Sequence, residues 1–594
     1  MASLPKPSLS TSSLSTCPRS FACPFYRQRP RVPLSFKKSH VHPRISCKAT
    51  RDEHEKPTHT TEAIGSSGKL DRRDMLIGLG GLYGAAAGLG VNRKALGLPI
   101  EAPDISKCGP ADLPSGATPT DCCPPFTSKI IDFKLPPRSD PLRIRPAAHL
   151  VDSEYLAKYA KAVELMKALP ADDPRNFTQQ ANVHCAYCDG SYDQIGFPDI
   201  EIQVHNSWIF FPWHRFYLYF HEKILGKLIG DETFALPFWN WDAPAGMRMP
   251  SIYTDPSSSL YDKLRDAKHQ PPYLIDLDFN GRDPSFTQAQ QIDHNLNIMY
   301  RQVIANGKTA QLFMGSPYHA GDQPNPGGGS LENVPHGTVH VWTGDRNQPN
   351  GEDMGTLYSA ARDPIFFAHH SNVDRMWYVW KMLGGKHKDF EDKDWLNTSF
   401  LFYDENADLV RVKIKDCLDT QWLRYTYQDV EIPWLKARPT PKGTVAAKKG
   451  ARSLRAVTEA AFPVTLESSV SATVRRPKVS RSSKEKKDEE EVLVVEGIEF
   501  DRDMFIKFDV YINTPEEEGV DPGSSEFAGS FVNVPHKHNH SKKEKKLRTA
   551  LRLGITELLE DLGAEADDSV LVTLVPRKGK GKAKVGGLRI EFLK

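Results

Sequence analysis

Three rhythms of apolar and polar residues follow one another along the chain. The stretch SEYLAKYAKAVELMKALP repeats its apolar residues at helical spacing. It predicts an amphipathic helix capped by Ser153 and ended by Pro170. FPWHRFYLYFHEKILGKLIG is apolar nearly all round, which predicts a buried helix. Pro212 suits its first turn and Gly230 its C-terminal stop. A third helix is expected to begin near HHSNVDRMWYVWKML. Irregular stretches dense in Trp, Phe, Tyr and Pro separate these segments, from about Pro99 to Leu435.

After Leu435 the pattern changes. Residues 436–490 are low in aromatics and rich in Lys, Arg, Ser and Glu, which predicts a solvated, protease-accessible linker. Beyond it EVLVVEGIEF, DMFIKFDVYIN, SFVNVPH, SVLVTLVPR and GLRIEFLK read as short strands with turns between them. One helix is expected at KKLRTALRLGITELLEDLG. The reading is therefore a leader, 1–98; a mainly α domain with long loops, 99–435; the linker, 436–490; and a β-rich, sandwich-like domain, 491–594.

Composition refines the two ends of this picture. The 594 residues are 39% hydrophobic and 26% charged, an ordinary globular balance. A net charge of +2 without a basic motif gives no reason to expect nucleic acid. No acidic residue precedes Asp52, while Ser, Pro and Arg are frequent, as in a chloroplast transit peptide. In DRRDMLIGLGGLYGAAAGLG, Arg72 and Arg73 precede an apolar run from Met75 to Gly90. That run is short and flexible for a membrane span of about 20 residues. It reads as a twin-arginine export signal. Together the two signals predict the thylakoid lumen and a mature form without an integral membrane span. Cys108, Cys122 and Cys123 lie in a Pro-rich segment that disulfides would order, and an oxidising lumen is compatible with them.

Histidines carry the candidate chemistry. In ENVPHGTVHVW, His336 and His340 are four apart, which on a helix aims both rings at one point. The zinc-hydrolase form of this pattern has Glu directly after the first His; here that residue is Gly337. His184 lies in NVHCAYCDG, four before Cys188. His205 lies in EIQVHNSW, His214 on the buried helix, and His370 in DPIFFAHHSNVDRMW. So many imidazoles among apolar neighbours would be costly to bury without a partner. They split into two triples, and all-imidazole ligation suits copper, zinc, iron or nickel. Nearby carboxylates and thiolates fit no standard structural zinc set. Two facing triples suit a pair of copper ions that bind one O2 between them.

HCAYC, HNSWIFFPWHRFYLYF, HGTVHVW and DPIFFAHHSNVDRMW resemble the copper A and copper B regions of the tyrosinase family. DWLNTSFLFYDEN and KFDV (Lys507 to Val510) resemble two regions of its plant members, the polyphenol oxidases of catechol oxidase type. The resemblance implies a four-helix bundle around a dicopper centre. It assigns copper A to His184, His205 and His214, and copper B to His336, His340 and His370. His369 is then a structural neighbour and His221 a packing residue. It also implies a thioether between Cys188 and His205, disulfides Cys108–Cys123 and Cys122–Cys185, and a buried Cys417. Tyr425 and Tyr427 resemble the motif that closes the catalytic domain.

The resemblance implies oxidation of o-diphenols to o-quinones with O2, on small phenolic substrates. Glu332 would hold a water that helps deprotonate a phenol. Gly337 stands where Asn favours monophenol activity, which leans the reading to diphenols. Val341 would shape the pocket mouth, and Leu357 replaces the Phe that many relatives place over copper B. Asp374 either orients the copper B region or pairs with Arg375 on the surface. The C-terminal domain is expected to cover the site until a protease cuts the linker. The HKHNH run, His536 to His540, reads as an exposed loop. Rival readings are a tyrosinase with added monophenol hydroxylation, an oxidase of one biosynthetic intermediate, an oxygen carrier and a zinc hydrolase.

Overall fold

A computed structural model of the chain describes residues 97–441, 461–514, 522–536 and 546–594. The two targeting signals and residues 537–540 of the HKHNH run lie outside the described residues.

The first predicted helix is α1, Ser153–Ala168. Its cap is Asp152 rather than Ser153: the Asp152 carboxylate accepts the Tyr155 amide at 2.8 Å. A carboxylate one residue further out satisfies the same orphan donors and also favours the positive end of the helix. Helix α2, Phe177–Cys188, starts on an Asn176 cap. Disulfide Cys122–Cys185 ties it to the irregular N-terminal segment, which Cys108–Cys123 closes on itself. Helix α3, Phe210–Ile229, is buried along most of its length, as its unbroken apolar pattern requires. It stops at Gly230 with φ 66°, a left-handed conformation that costs glycine nothing. It packs against α1 and against the helix that carries His370.

Less regular is the segment that carries His336. Residues Glu332–Gly337 form a wide π-type turn, broken at Val334 (φ −141°, ψ 126°). The break follows from Pro335, whose ring drives the preceding residue out of the helical region. After a helix α4, Gln288–Tyr300, and this turn, the chain continues as the short α5, Thr338–Thr343. The long α6, Ile365–Met382, begins ahead of its predicted start. The six histidines thus ride on α2, α3, α5, α6, the loop before α3 and the π-type turn.

Two small sheets close this domain. Strands β1 (Ile130–Asp132), β3 (Ser399–Tyr403) and β4 (Leu409–Lys413) form one in the order β1-β4-β3. Strand β2 (Arg143–Arg145) pairs in parallel with β5 (Tyr425–Tyr427), joining the two ends of the helical region.

The C-terminal part has two sheets packed over one core. One holds β6 (Val464–Thr465), β8 (Glu490–Asp501), β11 (Lys546–Gly554), β13 (Lys584–Val585) and β14 (Gly587–Leu593). The other runs β10-β9-β12-β7, with β7 Val470–Arg475, β9 Ile506–Ile512, β10 Phe527–Asn533 and β12 Ser569–Lys578. Leu493, Phe500, Phe508, Val510, Leu551 and Val572 from both sheets share the core.

Two expectations need correction here. The linker does not reach 490: β7 pairs with β12 across six registered residues, and α7, Ser483–Asp488, carries a Ser482/Glu485 capping box. Arg475, Lys484 and Lys487 are exposed on these elements, whereas Arg476 is buried and paired with Glu491 at 2.8 Å. Nor is KLRTALRLG, from Lys546, helical. It is β11, with Leu547, Leu551 and Leu553 buried on one face, Arg548 exposed between them and Arg552 bonded to Ser316 Oγ of the helical domain at 2.9 Å, a period of two. Only α8, Thr556–Asp561, is helix.

The two parts meet at β10. Tyr511, Phe527, Val532 and Val575 belong to the core of the helical domain. The Lys507 ammonium is buried between Asp509, at 2.7 Å, and Asp278 of the helical domain, at 3.1 Å. Arg502 pairs with Glu201 at 2.7 Å.

Candidate metal centre

Each histidine triple is held from behind. The Nδ1 atoms of His184, His214, His336 and His340 face the carbonyls of Leu357 (2.9 Å), Phe210 (2.8 Å), Glu332 (3.0 Å) and Met354 (2.8 Å). His205 Nδ1 faces Gln203 Oε1 at 3.2 Å. A carbonyl oxygen can only accept, so in all five rings Nδ1 carries the proton and Nε2 keeps its lone pair. For His184, His205, His214 and His336 that Nε2 is buried without any partner. His340 Nε2 instead meets His370 Nε2 at 3.2 Å, where one ring carries a proton between them or both face a cation.

The ligand atoms gather in two groups, each within 4.8 Å: His184, His205 and His214; and His336, His340, His369 and His370. The groups face each other. His214 and His370 stack with centroids 4.3 Å apart and 10° between planes. Burial pushes all of these imidazoles down, His184 to about 3 and His340 to about 4. They are therefore neutral, the form a metal requires. Buried, neutral rings with converging lone pairs and fixed outer nitrogens fit metal ions and leave few other ways to satisfy them.

His369 joins the second group in space but differs in chemistry. Its Nδ1 accepts the indole N–H of Trp241 at 3.2 Å. In the neutral ring the proton then sits on Nε2, which removes that lone pair. His221 stacks on Phe367 at 3.6 Å, and burial pushes it down to about 3.

Glu332 is buried beside the rings. One carboxylate oxygen accepts the Asn206 amide at 2.5 Å and the other has no partner. Burial holds its pKa well above the usual range, against the pull of the Asn206 and Gly329 amides. A Cβ at Gly328 would sit 2.9 Å from Glu332 Oε2, so a side chain there would displace the carboxylate.

Asp374 is not a surface partner of Arg375, which pairs with Asp242 at 3.0 Å. It is buried and bonded to Arg215 (2.6 Å), Arg145 (3.2 Å) and the hydroxyls of Tyr425 (2.6 Å) and Tyr427. Burial alone would raise its pKa, but the two guanidinium groups outweigh that and lower it. Helix α6, one turn beyond His370, is anchored by this cluster. Cys188 and Cys417 are free and buried.

A cavity of about 20 Å3 remains beside the rings, lined by His205, Glu332, His336, Gly337, Leu357 and the C-terminal domain's Val532, Val534 and His536. That space holds roughly one water and no phenol. His536 is 1% exposed, so the start of the HKHNH run is a buried wall, not an exposed loop. Val341 does not line this cavity. It faces a separate space of about 270 Å3 between the two parts, with Phe279 and Phe505. Gln203, Asn206 and the four carbonyl acceptors were not foreseen. Backbone acceptors leave no trace in residue identity, whereas Gln203, two residues before His205 on extended chain, had a readable spacing.

Residues 174–383 match the common central domain of tyrosinase, 389–440 the polyphenol oxidase middle domain, and 462–592 the chloroplastic polyphenol oxidase C-terminal domain. Chloroplastic polyphenol oxidase of Malus domestica is 57% identical over 606 residues, covering 100% of both chains. Aureusidin synthase of Antirrhinum majus is 56% identical over 501 residues, 83% of this chain and 89% of that one. The solved structure of latent apple tyrosinase aligns with a TM-score of 0.74 at 61% identity, covering 78% of this chain and 100% of that one. With paired histidine clusters, both plant-type C-terminal regions and identity along its whole length, the chain belongs to the plant polyphenol oxidases of the tyrosinase family, whose centre is a dinuclear copper site.

Proposed function

We propose that this enzyme oxidises o-diphenols to o-quinones with O2 and is made latent by its own C-terminal domain. The observation that carries the reading is the set of five imidazoles locked through Nδ1 with their Nε2 atoms converging in two facing groups. His184, His205 and His214 would hold one copper ion, and His336, His340 and His370 the other. Bound there, the copper pair supplies O2 binding and takes up the electrons that the diphenol gives. For each O2 reduced to two waters, two diphenols lose two electrons and two protons apiece.

The chain's own groups handle the protons and the fit. Glu332, with one oxygen on the Asn206 amide and the other towards the cavity, takes the proton of a phenol hydroxyl directly or through one water. Burial makes its carboxylate a stronger base than in water. Gly337 and Leu357 leave room for the substrate ring once Val532 and Val534 withdraw. A protease cut in the linker would release them. Cys188, one helical turn after His184, would be joined to His205 by a thioether that stops the ring rotating. The chloroplastic names of relatives support a plastid enzyme, and the twin-arginine pattern supports the thylakoid lumen as its compartment.

Oxygen uptake by the protease-trimmed, copper-loaded protein tests the reading. Uptake with 4-methylcatechol and little with tyramine is expected. Equal uptake with tyramine, without added diphenol, would make it a tyrosinase and remove the role given to Gly337. Identity to aureusidin synthase favours a second reading, an oxidase of one specialised phenol. A preference of more than a hundredfold for a chalcone over 4-methylcatechol would support that one.

A further inference from the structure

Four of the five fixed imidazoles lean on backbone carbonyls. His205 leans on a side chain. Gln203 is fully buried, and its Oε1 accepts both the backbone amide of His205, at 2.9 Å, and the ring Nδ1–H, at 3.2 Å. Its Nε2 donates to the carbonyl of Cys188 at 2.8 Å. The amide cannot be turned round: both His205 groups donate, and the Cys188 carbonyl only accepts. A single planar group therefore fixes the His205 backbone, the His205 ring and the C-terminal end of α2.

We infer that Gln203 is a positioning residue of the first metal group. It sets the His205 tautomer so that Nε2 faces inward, and it holds the end of α2, with His184 and Cys188, against that ring. The inference rests on the metal reading above. Unlike the other four, His205 has no main-chain carbonyl acceptor, and the proposed thioether to Cys188 would hold its ring without setting which nitrogen carries the proton. His205 lies on non-helical chain before α3, whereas His184, His214, His340 and His370 are held by the helices that carry them. Gln203 supplies from two residues away the support that a helix gives the others. Because it is a side chain, it is also the one outer acceptor among these five that substitution can remove.

The test is copper binding by the full chain, read as two affinities. Gln203→Met keeps volume and removes both hydrogen-bonding ends. It is expected to weaken copper at one of the two positions ten- to a hundredfold, the usual effect of losing an outer partner of a ligand histidine, and to leave the other unchanged. Gln203→Glu keeps the acceptor for Nδ1–H but sets its second oxygen against the Cys188 carbonyl, so it is expected to lose less affinity at that position than Gln203→Met and none at the other. A merely structural role would lower both affinities together or shift only the melting temperature. Wild-type affinity at both positions in Gln203→Met would overturn the inference. So would equal loss in Gln203→Glu and Gln203→Met in chains that still melt cooperatively. If the wild-type chain itself binds no copper, the metal reading fails first, and the two failures are thereby told apart.

Discussion

The adjacent rings of His369 and His370 differ in what engages their nitrogens: a donor takes Nδ1 of the first, while Nδ1 of the second is left free to carry the proton. Trp241 donates to His369 Nδ1, which forces that ring's proton onto Nε2. His370 Nδ1 has no partner, and its Nε2 faces His340. Proximity alone would admit four ligands to the second group; tautomer chemistry admits three. His370→Ala is therefore expected to lose about half of the bound copper, and His369→Gln to keep nearly all of it, measured as metal per chain after gel filtration. Loss of copper from His369→Gln would reverse the assignment. The six candidate ligands were legible because each is a polar ring in an apolar run. Their outer acceptors were not, since most are main-chain carbonyls.

At the scale of elements, α3 and α6 are fixed by charge buried among aromatics. Asp374 on α6 holds Arg215 of α3 and Arg145 of β2, and Glu222 of α3 holds Arg143 and Arg145, all at most 4% exposed. Arg215 also lies 3.6 Å over the Trp377 ring. Removing one member leaves the others charged and unpaired. Asp374→Ala should cost roughly 3–5 kcal/mol in denaturant unfolding, with copper affinity at the second position reduced.

The pH sign follows from the same contacts. The arginines hold Asp374 and Glu222 below their ordinary values, against the upward push of burial. Their stabilisation is complete above the ordinary carboxylate range and is lost as pH falls through the lowered values. Stability should thus fall steeply below about pH 4. Asp374→Asn, though weaker at pH 7, should fall less steeply there. A slope equal to wild type would contradict this account.

Helices were readable where one period ran unbroken, as in α1 and α3. They were misread where charge and leucine mixed, as in β11, because only the packed sheet decides which face is buried. The π-type turn at Glu332–Gly337 followed from no periodicity, although Pro335 marked its break.

For the whole molecule, the proposed latency is a matter of fit between two parts. A Cβ at Gly337 would lie 3.1 Å from Val532 Cγ1 and 3.2 Å from Val534 Cγ2 of the C-terminal domain. Those contacts are too tight unless the valines move. Gly337→Asn should therefore raise the activity of the uncut chain several-fold relative to its trimmed form, and adding Val534→Ala should restore latency. Unchanged latency in Gly337→Asn would show that the cap does not seat on this glycine.

Lys507 bridges the parts from the other side, between Asp278 and Asp509. Burial, opposed by this lysine, pushes Asp278 up to about 6. Lys507→Met should lower the urea concentration at which the uncut chain becomes active.

Sequence alone placed a covering domain after the catalytic one. It did not place Val532, Val534 and His536 against the rings, because contacts between distant segments have no local pattern.

The proposed chemistry stands on a pair of metal ions, each held by three imidazoles. Anomalous diffraction at the copper edge from crystals of the copper-loaded chain tests it most directly. Two peaks are expected, one among His184, His205 and His214 and one among His336, His340 and His370, with His369 outside bonding distance. A single peak, or a second peak bonded to His369, would contradict it.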